Sequence, residues 1–211
     1  MTTESKLREQ FCRWGRSMFE RGLTSGSSGN LSARLEDGFL VTPTNSCLGF
    51  LDPATLSKLD GNGAHVSGDK PTKEVLLHKA FYESRPQAMG IVHVHSTYAT
   101  ALSCLKDLDP KNVLPPMTPY VLMRVGVVPL LPYADPGNPE IVPFLRDVAP
   151  SYGAVLLANH GPVVSGTTFE NAVFAAEEFE EAAKLYFLLK PYSAMIIPAS
   201  RVTALTGKRN R

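Results

Sequence analysis

The stretch that most constrains the fold is AMGIVHVHS, residues 88–96, in which an apolar, β-branched run ends in two histidines two positions apart. Such a run predicts a buried β-strand, and successive side chains of a strand point to opposite faces of its sheet. His93 and His95 therefore share a face and can offer two imidazole nitrogens to a single ion. We expect a sheet with a metal site at the end of one strand.

Two further residues fit the same site. His160 ends a second apolar run, AVLLANHG, and Glu74 opens a helical segment that follows PTK. Three neutral imidazoles and a carboxylate are ligands that a zinc-like divalent ion accepts in a catalytic site, where one position stays free for substrate. A lone histidine at a strand end is more often structural, so the prediction depends on the four residues together. The donor set suits Zn²⁺, and it also accepts Mn²⁺ or Fe²⁺.

Composition limits the class of protein. At 211 residues, 44% of them hydrophobic, the chain suits one globular domain spanning residues 1–211. A net charge of +1 offers no general attraction to nucleic acid or to a membrane, and no window approaches the roughly 20 apolar residues that span a bilayer. Three cysteines without a CxxC pair fit a reducing compartment. We therefore expect a cytoplasmic protein that binds neither nucleic acid nor a membrane.

Periodicity and turn residues place helices and short strands along the chain. Helical spacing predicts helices over about 5–21, 72–84, 96–104, 138–147 and 167–190. Apolar or alternating runs predict strands over about 31–35, 38–42, 57–59, 64–67, 88–96, 121–125, 127–131, 154–158 and 163–166. The tail from residue 191, apolar at 195–197 and basic at 208–211, is expected to be a partly ordered terminus that covers a neighbour.

Two loops rich in small residues admit two interpretations. TSGSSGN (24–30) and TPTNS (42–46) are either flexible surface loops or cradles whose backbone N–H groups and hydroxyls hold a phosphate. Neither loop matches GxGxxG or GxxxxGK[ST], so a dinucleotide or ATP site is not supported. Lys73 lies at a predicted helix N-terminus, where the helix dipole disfavours a cation unless an anion is bound. His78, four residues after Glu74, is either a packed helix residue or a partner of the metal site.

The order of these motifs, SSGN, LVTPT, KPTKE, HVH and NHG, resembles that of the class II aldolase/adducin family over about residues 5–190. The resemblance implies an α/β fold of three α/β/α layers with a largely antiparallel central sheet. It also implies a homotetramer whose active sites lie at subunit interfaces.

The resemblance assigns roles to individual residues. It gives phosphate-binding positions to Gly29, Asn30, Thr44, Thr72 and Lys73. It gives the catalytic acid/base role to Glu74 and the metal-binding role, with zinc as the expected ion, to Glu74, His93, His95 and His160. Two positions depart from the sugar-phosphate aldolase pattern, since Asn45 stands where glycine is frequent and Lys73 where a second serine is frequent.

Within the family, VLPPMTPY and MRVGVVPLLPYADPGNP are most similar to the 3-oxo-tetronate 4-phosphate decarboxylases of acid-sugar catabolism. This similarity implies a zinc-dependent carboxy-lyase that acts on a small sugar-acid phosphate and forms dihydroxyacetone phosphate and CO2. Glu74 is then the proton carrier, and Tyr120 assists at the departing carboxyl group, with Tyr133 as a competitor for that role. Lys73 is expected near the phosphate or the carboxylate.

Other functions stay open at this point. The same scaffold is that of ketose-phosphate aldolases of the fuculose-phosphate type, pentulose-phosphate epimerases and thioribulose-phosphate dehydratases. A non-catalytic, adducin-like binding module is a further alternative, against which the intact metal-binding residues and Glu74 speak.

Overall fold

The structure, a computed structural model, describes residues 3–206. Its helices are α1 (Thr3–Glu20), α2 (Val75–Ser84), α3 (Thr97–Ser103), α4 (Ile141–Val148), α5 (Phe169–Leu189) and α6 (Ala199–Thr206). Its strands are β1 (Asn30–Arg34), β2 (Gly38–Val41), β3 (Ser57–Asp60), β4 (His65–Ser67), β5 (Gly90–His93), β6 (Leu130–Leu131), β7 (Ala154–Leu157) and β8 (Gly161–Gly166). Within residues 3–206, no helix combines the length and the apolarity required to cross a bilayer.

All eight strands join in one sheet with the order β4-β3-β2-β1-β5-β8-β7-β6. Neighbouring strands pair antiparallel except β6 and β7, which are parallel. The sheet is therefore mixed and mostly antiparallel, which confirms the predicted α/β class and its largely antiparallel sheet. The HVH motif lies at its middle, because β5 pairs with β1 on one side and with β8 on the other.

Alternate residues of the central strands belong to two separate hydrophobic clusters. In β7, Leu156 packs in the cluster that contains residues of α1, α3 and α5, whereas Val155 and Leu157 pack in the cluster that contains residues of α2 and α4. In β5, Val92 and Ile91 divide between the same two clusters. Both faces of these strands are therefore buried, which explains why they are continuous apolar runs in the sequence.

Of the two strands predicted in the 121–131 region, the first is wrong and the second is shorter than expected. Val121–Val125 forms one π-helical turn instead of a strand, closed by a 2.8 Å hydrogen bond from Gly126 N to Val121 O. Its buried side chains are those of Val121, Leu122 and Val125, a spacing that fits one side of a helical turn and not the alternation of a strand. Segment 127–131 contributes only the two residues of β6. The predicted helix over 138–147 begins later, at Ile141.

The tail is more regular than predicted. It includes α6, and Ile197 N donates a 2.8 Å hydrogen bond to Pro116 O. Ile197, Val202 and Leu205 pack against the larger hydrophobic cluster, so this part of the tail folds onto its own chain. The basic end of the tail, 208–211, lies outside the described residues.

Candidate active site

The three predicted histidines come together at one end of the central strands. His93 ends β5, His95 follows it by two positions, and His160 lies directly before β8. The Nε2 atom of His93 lies 3.1 Å from that of His95 and 3.2 Å from that of His160. The three rings are steeply inclined to one another, so each presents an edge, with its nitrogen, to the common centre.

The second ring nitrogen of His93 fixes which nitrogen faces this centre. Nδ1 of His93 lies 2.8 Å from the carbonyl oxygen of Pro162, which can only accept a hydrogen bond. In the neutral ring Nδ1 therefore carries the hydrogen, and Nε2 presents its lone pair to His95 and His160. This backbone contact is the kind of support that orients metal-binding histidines in proteins.

The two separations that His93 makes with the other histidines fit a divalent cation. Ligands about 2.0–2.1 Å from a tetrahedral zinc ion lie about 3.3 Å from one another. The observed separations of 3.1 and 3.2 Å are close to that value. Because imidazole nitrogens suit zinc and several other divalent metals, His93, His95 and His160 form a site for such an ion.

Burial keeps two of these ligands neutral. It lowers the pKa of His95 to about 4, with repulsion from His93 and His160 as the next causes. It likewise lowers the pKa of His160 to about 4, with repulsion from His93 next. Both imidazoles are therefore unprotonated near pH 7, which is the form that binds a metal.

Glu74 lies beside the histidine cluster, directly before α2. Its Oε2 atom is 3.4 Å from Nε2 of His93, its Oε1 atom is 3.8 Å from Nε2 of His160, and the residue is only 8% exposed. Burial alone raises the pKa of the carboxyl group, but attraction to His93, a hydrogen bond from Asn30 and attraction to His160 and His78 outweigh it and lower the pKa. An ionised carboxylate thus faces the centre and can act there as a ligand or a proton acceptor.

The segments predicted to bind phosphate are adjacent in space. Thr72 N donates a 3.1 Å hydrogen bond to Thr42 O, and Thr44 N donates a 2.9 Å hydrogen bond to Lys70 O. Thr72 is buried, and its hydroxyl oxygen accepts a 3.3 Å hydrogen bond from Glu74 N. Both loops therefore meet beside the Glu74 carboxylate.

The glycine-rich loop approaches from the strand next to the HVH motif. Asn30 pairs with His93 across β1 and β5, and its side-chain Nδ2 donates a 2.7 Å hydrogen bond to Glu74 Oε2. Gly29 has a φ of +81°, and a Cβ atom there would lie 2.9 Å from the carbonyl oxygen of His93. The loop can approach the strand this closely because the residue has no side chain. Lys73, the cation of the predicted phosphate site, is exposed.

The two departures from the aldolase pattern differ in their structural consequence. Asn45 has a φ of +58°, in the left-handed region that glycine and, among other residues, asparagine favour. The turn therefore keeps the conformation for which glycine is frequent. Lys73 lies against the next loop, because a Cβ atom on Gly137 would lie 3.0 Å from the Lys73 carbonyl oxygen.

A cavity opens beside the histidine cluster. Glu74 and His160 line it together with polar Asp135 and Asn138 and with apolar residues that include Ile141. Its position suits a polar substrate in contact with the Glu74 carboxylate.

The two candidate tyrosines differ in their relation to this cavity. Tyr120 is 58% exposed at the start of the π-helical turn and is outside the set of described residues that line the cavity. Tyr133 is equally exposed, but its hydroxyl donates a 2.7 Å hydrogen bond to Asp135, which does line the cavity. Of these two candidates, Tyr133 is thus the one connected to the cavity of its own chain.

Sequence reasoning missed a buried polar chain behind Glu74. His78 Nε2 lies 2.5 Å from Asn30 Oδ1, and His78 Nδ1 lies 2.6 Å from Ser32 Oγ. Ser32 Oγ lies 2.9 Å from the hydroxyl of Tyr82, and all three of Ser32, His78 and Tyr82 are at most 3% exposed. The four-residue spacing of Glu74 and His78 was the available signal, but the partners on β1 were not visible in it.

A second missed residue supports the helix that follows His95. Glu180 of α5 accepts hydrogen bonds from the backbone N–H groups of Tyr98 and Ala99, each at 2.8 Å. These donors lie in the first turn of α3, where backbone N–H groups have no partner inside the helix. A carboxylate from a distant helix thus caps α3 next to the metal site.

The sequence matches the family model of the Class II Aldolase and Adducin N-terminal domain over residues 9–187. The chain belongs to this family. Its relatives include the 3-oxo-tetronate 4-phosphate decarboxylase of Escherichia coli (strain K12), 50% identical over 203 residues that cover 96% of each chain. The Cupriavidus necator protein of the same name is 49% identical over 190 residues, 90% of this chain and 88% of that one.

The solved structure of YgbL from Escherichia coli has the same fold. It superimposes on this chain with a TM-score of 0.95 at 48% sequence identity, and the match covers 97% of this chain and 100% of that one. The family resemblance inferred from the motifs is therefore confirmed.

Proposed function

We propose that this chain catalyses the metal-dependent decarboxylation of a 3-oxo-tetronate 4-phosphate to dihydroxyacetone phosphate and CO2. The observation that carries the proposal is the convergence of three imidazole nitrogens and the Glu74 carboxylate at the edge of one cavity. Identity of about half with 3-oxo-tetronate 4-phosphate decarboxylases, over nearly the whole chain, supports this choice of reaction and substrate.

The proposed substrate sets what the site must do. Its C3 carbonyl is β to the carboxylate, so breaking the C1–C2 bond releases CO2 and leaves the electron pair spread over C2 and the C3 oxygen. A divalent cation held by His93, His95 and His160, with Glu74 as a further ligand and zinc as the expected ion, supplies positive charge that stabilises this anion. A proton must then reach C2, and the overall reaction consumes one proton.

Glu74 is the proposed proton carrier. Its Oε2 atom accepts the hydrogen bond from the Asn30 amide, so Oε1, on the side of His160, is the oxygen free to hold a proton. A proton that Oε1 takes up from solvent passes to C2, which completes dihydroxyacetone phosphate and returns Glu74 to the ionised carboxylate. A general acid placed in this way contributes about a hundredfold to ten-thousandfold to the rate.

The substrate phosphate is proposed to bind Gly29, Asn30, Thr44, Thr72 and Lys73. The adjacency of the two loops beside Glu74 supports this assignment, as does the exposed ammonium group of Lys73 near the start of α2. Asn30 would contribute its second amide hydrogen, since the first contacts Glu74. Tyr120 is proposed to assist at the departing carboxyl group from a neighbouring subunit, with Tyr133 as the alternative within the same chain.

We propose with this function a single domain over residues 1–211 with three α/β/α layers, a homotetramer with interfacial active sites, and a cytoplasmic location. The single sheet supports this layered arrangement. So do the two hydrophobic clusters, because alternate residues of the strands belong to one cluster or to the other. The free thiols of Cys12, Cys47 and Cys104 are consistent with a reducing compartment.

The proposal is tested with purified protein and synthetic 3-oxo-tetronate 4-phosphate. We expect stoichiometric release of CO2 and dihydroxyacetone phosphate, loss of activity with a chelator, and recovery on addition of zinc. His160→Gln should abolish zinc retention and turnover. His65 is an exposed histidine on β4, and His65→Gln should change neither.

Two results would reject the proposal. Cleavage of L-fuculose 1-phosphate to an aldehyde, without CO2 from the oxo acid, would assign the aldolase reaction instead. Absence of bound metal and of turnover after adding zinc or manganese would favour a binding module.

A further inference from the structure

The polar chain behind Glu74 has a hydrogen-bond direction that its chemistry determines. An ionised carboxylate only accepts hydrogen bonds, so Asn30 must present its NH2 group to Glu74. The amide oxygen of Asn30 then faces His78, and Nε2 of His78 must carry the hydrogen that it accepts. The orientation of the Asn30 amide therefore determines the tautomer of the His78 ring, and the tautomer determines the orientation.

The direction continues to the far end of the chain. With its hydrogen on Nε2, neutral His78 presents a lone pair at Nδ1, which accepts from the hydroxyl of Ser32. The Ser32 oxygen then accepts from Tyr82. Burial lowers the pKa of His78 to about 3, so the ring stays neutral near pH 7.

We propose that His78 is a positioning residue that, by fixing the Asn30 amide, holds Oε2 of Glu74 and leaves Oε1 as the oxygen that transfers the proton. Asn30 turned the other way would place its oxygen against the carboxylate, two acceptors with no hydrogen between them. Burial makes that arrangement unfavourable, because two facing acceptors inside the protein are left without a donor. His78 thus selects the productive orientation without contact with the substrate.

The polar chain gives His78 contacts beyond its own helix. The residue lies on α2 four positions after Glu74, whereas Asn30 and Ser32 are alternate residues of β1 and share a face of the sheet. This polar chain of hydrogen bonds therefore connects α2, the helix that follows Glu74, to β1, the strand paired with β5. A rotation of α2 against the sheet would break at least one of its links.

The first experiment measures the tautomer directly and is independent of any reaction. Nitrogen-15 NMR of histidine-labelled, zinc-loaded protein should show His78 with a hydrogen on Nε2 and none on Nδ1 between pH 5.5 and 8. The signal is assigned by its loss in His78→Gln. A hydrogen on Nδ1 and none on Nε2 would reverse the direction of the polar chain and overturn the proposal.

The second experiment uses two substitutions that differ in reach. The amide of His78→Gln ends near the position of Nε2 and can still donate to Asn30, whereas that of His78→Asn ends near Nδ1 and reaches only Ser32. We expect His78→Gln to keep at least a third of the wild-type kcat. We expect His78→Asn to lose tenfold or more in kcat, with KM, zinc content and Tm close to those of His78→Gln.

Equal kcat values for the two variants, with equal zinc content, would show that the link to Asn30 is not what His78 provides. A loss that follows Tm in both variants would assign a structural role and equally overturn the proposal. The kinetic comparison rests on the proposed decarboxylase function, whereas the tautomer does not. If wild-type protein fails to release CO2, the proposed function fails, and the NMR result still decides the role of His78.

Discussion

Replacing Glu180 with glutamine is expected to loosen the start of α3, next to the metal site. The carboxylate accepts from two backbone N–H groups, those of Tyr98 and Ala99, with one oxygen each at 2.8 Å. A glutamine side chain in the same position turns its oxygen to one of the two donors and its NH2 group to the other. The backbone N–H group that faces the NH2 group would lose its partner.

The magnitude follows from the number of hydrogen bonds lost. A hydrogen bond to a charged group contributes about 1.5–3 kcal/mol, and a backbone donor left without a partner costs about 1–3 kcal/mol. Since Glu180 is only half-buried, water recovers part of this loss, and we expect Glu180→Gln to lower the free energy of unfolding by about 2 kcal/mol. In a chain of this length that corresponds to a decrease in Tm of about 4–8 °C.

The assay is thermal unfolding of the zinc-loaded protein, with Glu181→Gln as the matched control. Glu181 neighbours Glu180 on α5 but is exposed, and a substitution there should stay within about 0.5 kcal/mol of wild type. If both variants unfold at the same temperature, the carboxylate does not cap α3 in solution, and the reasoning from its two short hydrogen bonds is refuted.

Three further predictions follow from the site and its loops. Glu74→Gln should lower turnover by about a hundredfold or more with zinc largely retained, whereas Glu83→Gln on the same helix should be as active as wild type; equal turnover would remove Glu74 from the chemistry. The pKa of His78 is about 3 in the folded protein against 6.5 for the ordinary group, so the unfolded chain takes up the proton first and stability falls as pH falls below 6.5. In urea unfolding of chelator-treated protein, the stability of wild type relative to His78→Gln should therefore decrease by up to about 1.4 kcal/mol per pH unit from pH 6.5 toward 4.5, and parallel profiles would contradict this pKa. Asn45→Gly should leave the free energy of unfolding within about 0.5 kcal/mol, whereas Asn45→Ala should cost about 1 kcal/mol because of its left-handed backbone; equal stability of the two would show that this turn relaxes.

The sequence was most informative where periodicity alone determines the face to which a side chain points. Alternation along a strand was enough to predict that His93 and His95 share a face, and the apolar run before His160 indicated a second strand end. The α/β class and the family followed from the order of the motifs. The roles assigned to Glu74 and to the phosphate-binding residues stay predictions until they are tested by substitution.

What the sequence could not reveal depends on contacts between distant segments. Glu180 looks like one more acid on an amphipathic helix, and its role depends on where α3 begins. The bonds of His78 to residues of β1 require the angle between a helix and a sheet, which no local pattern encodes. The Val121–Val125 segment was mistaken for a strand because a short apolar run fits both a buried strand and a helical turn.

The pairing of β5 with β8 links the metal site to correct folding. If β8 slipped by one residue against β5, its side chains would move to the opposite side of the sheet, and His160, directly before β8, would be displaced from His93. Such a misfolded chain would lack the metal site, so the ion stabilises only the native pairing, by about 4 kcal/mol when its free concentration is a thousand times Kd. The supply of the ion would then act as a late checkpoint, protecting correctly assembled chains and leaving misaligned ones open to proteolysis.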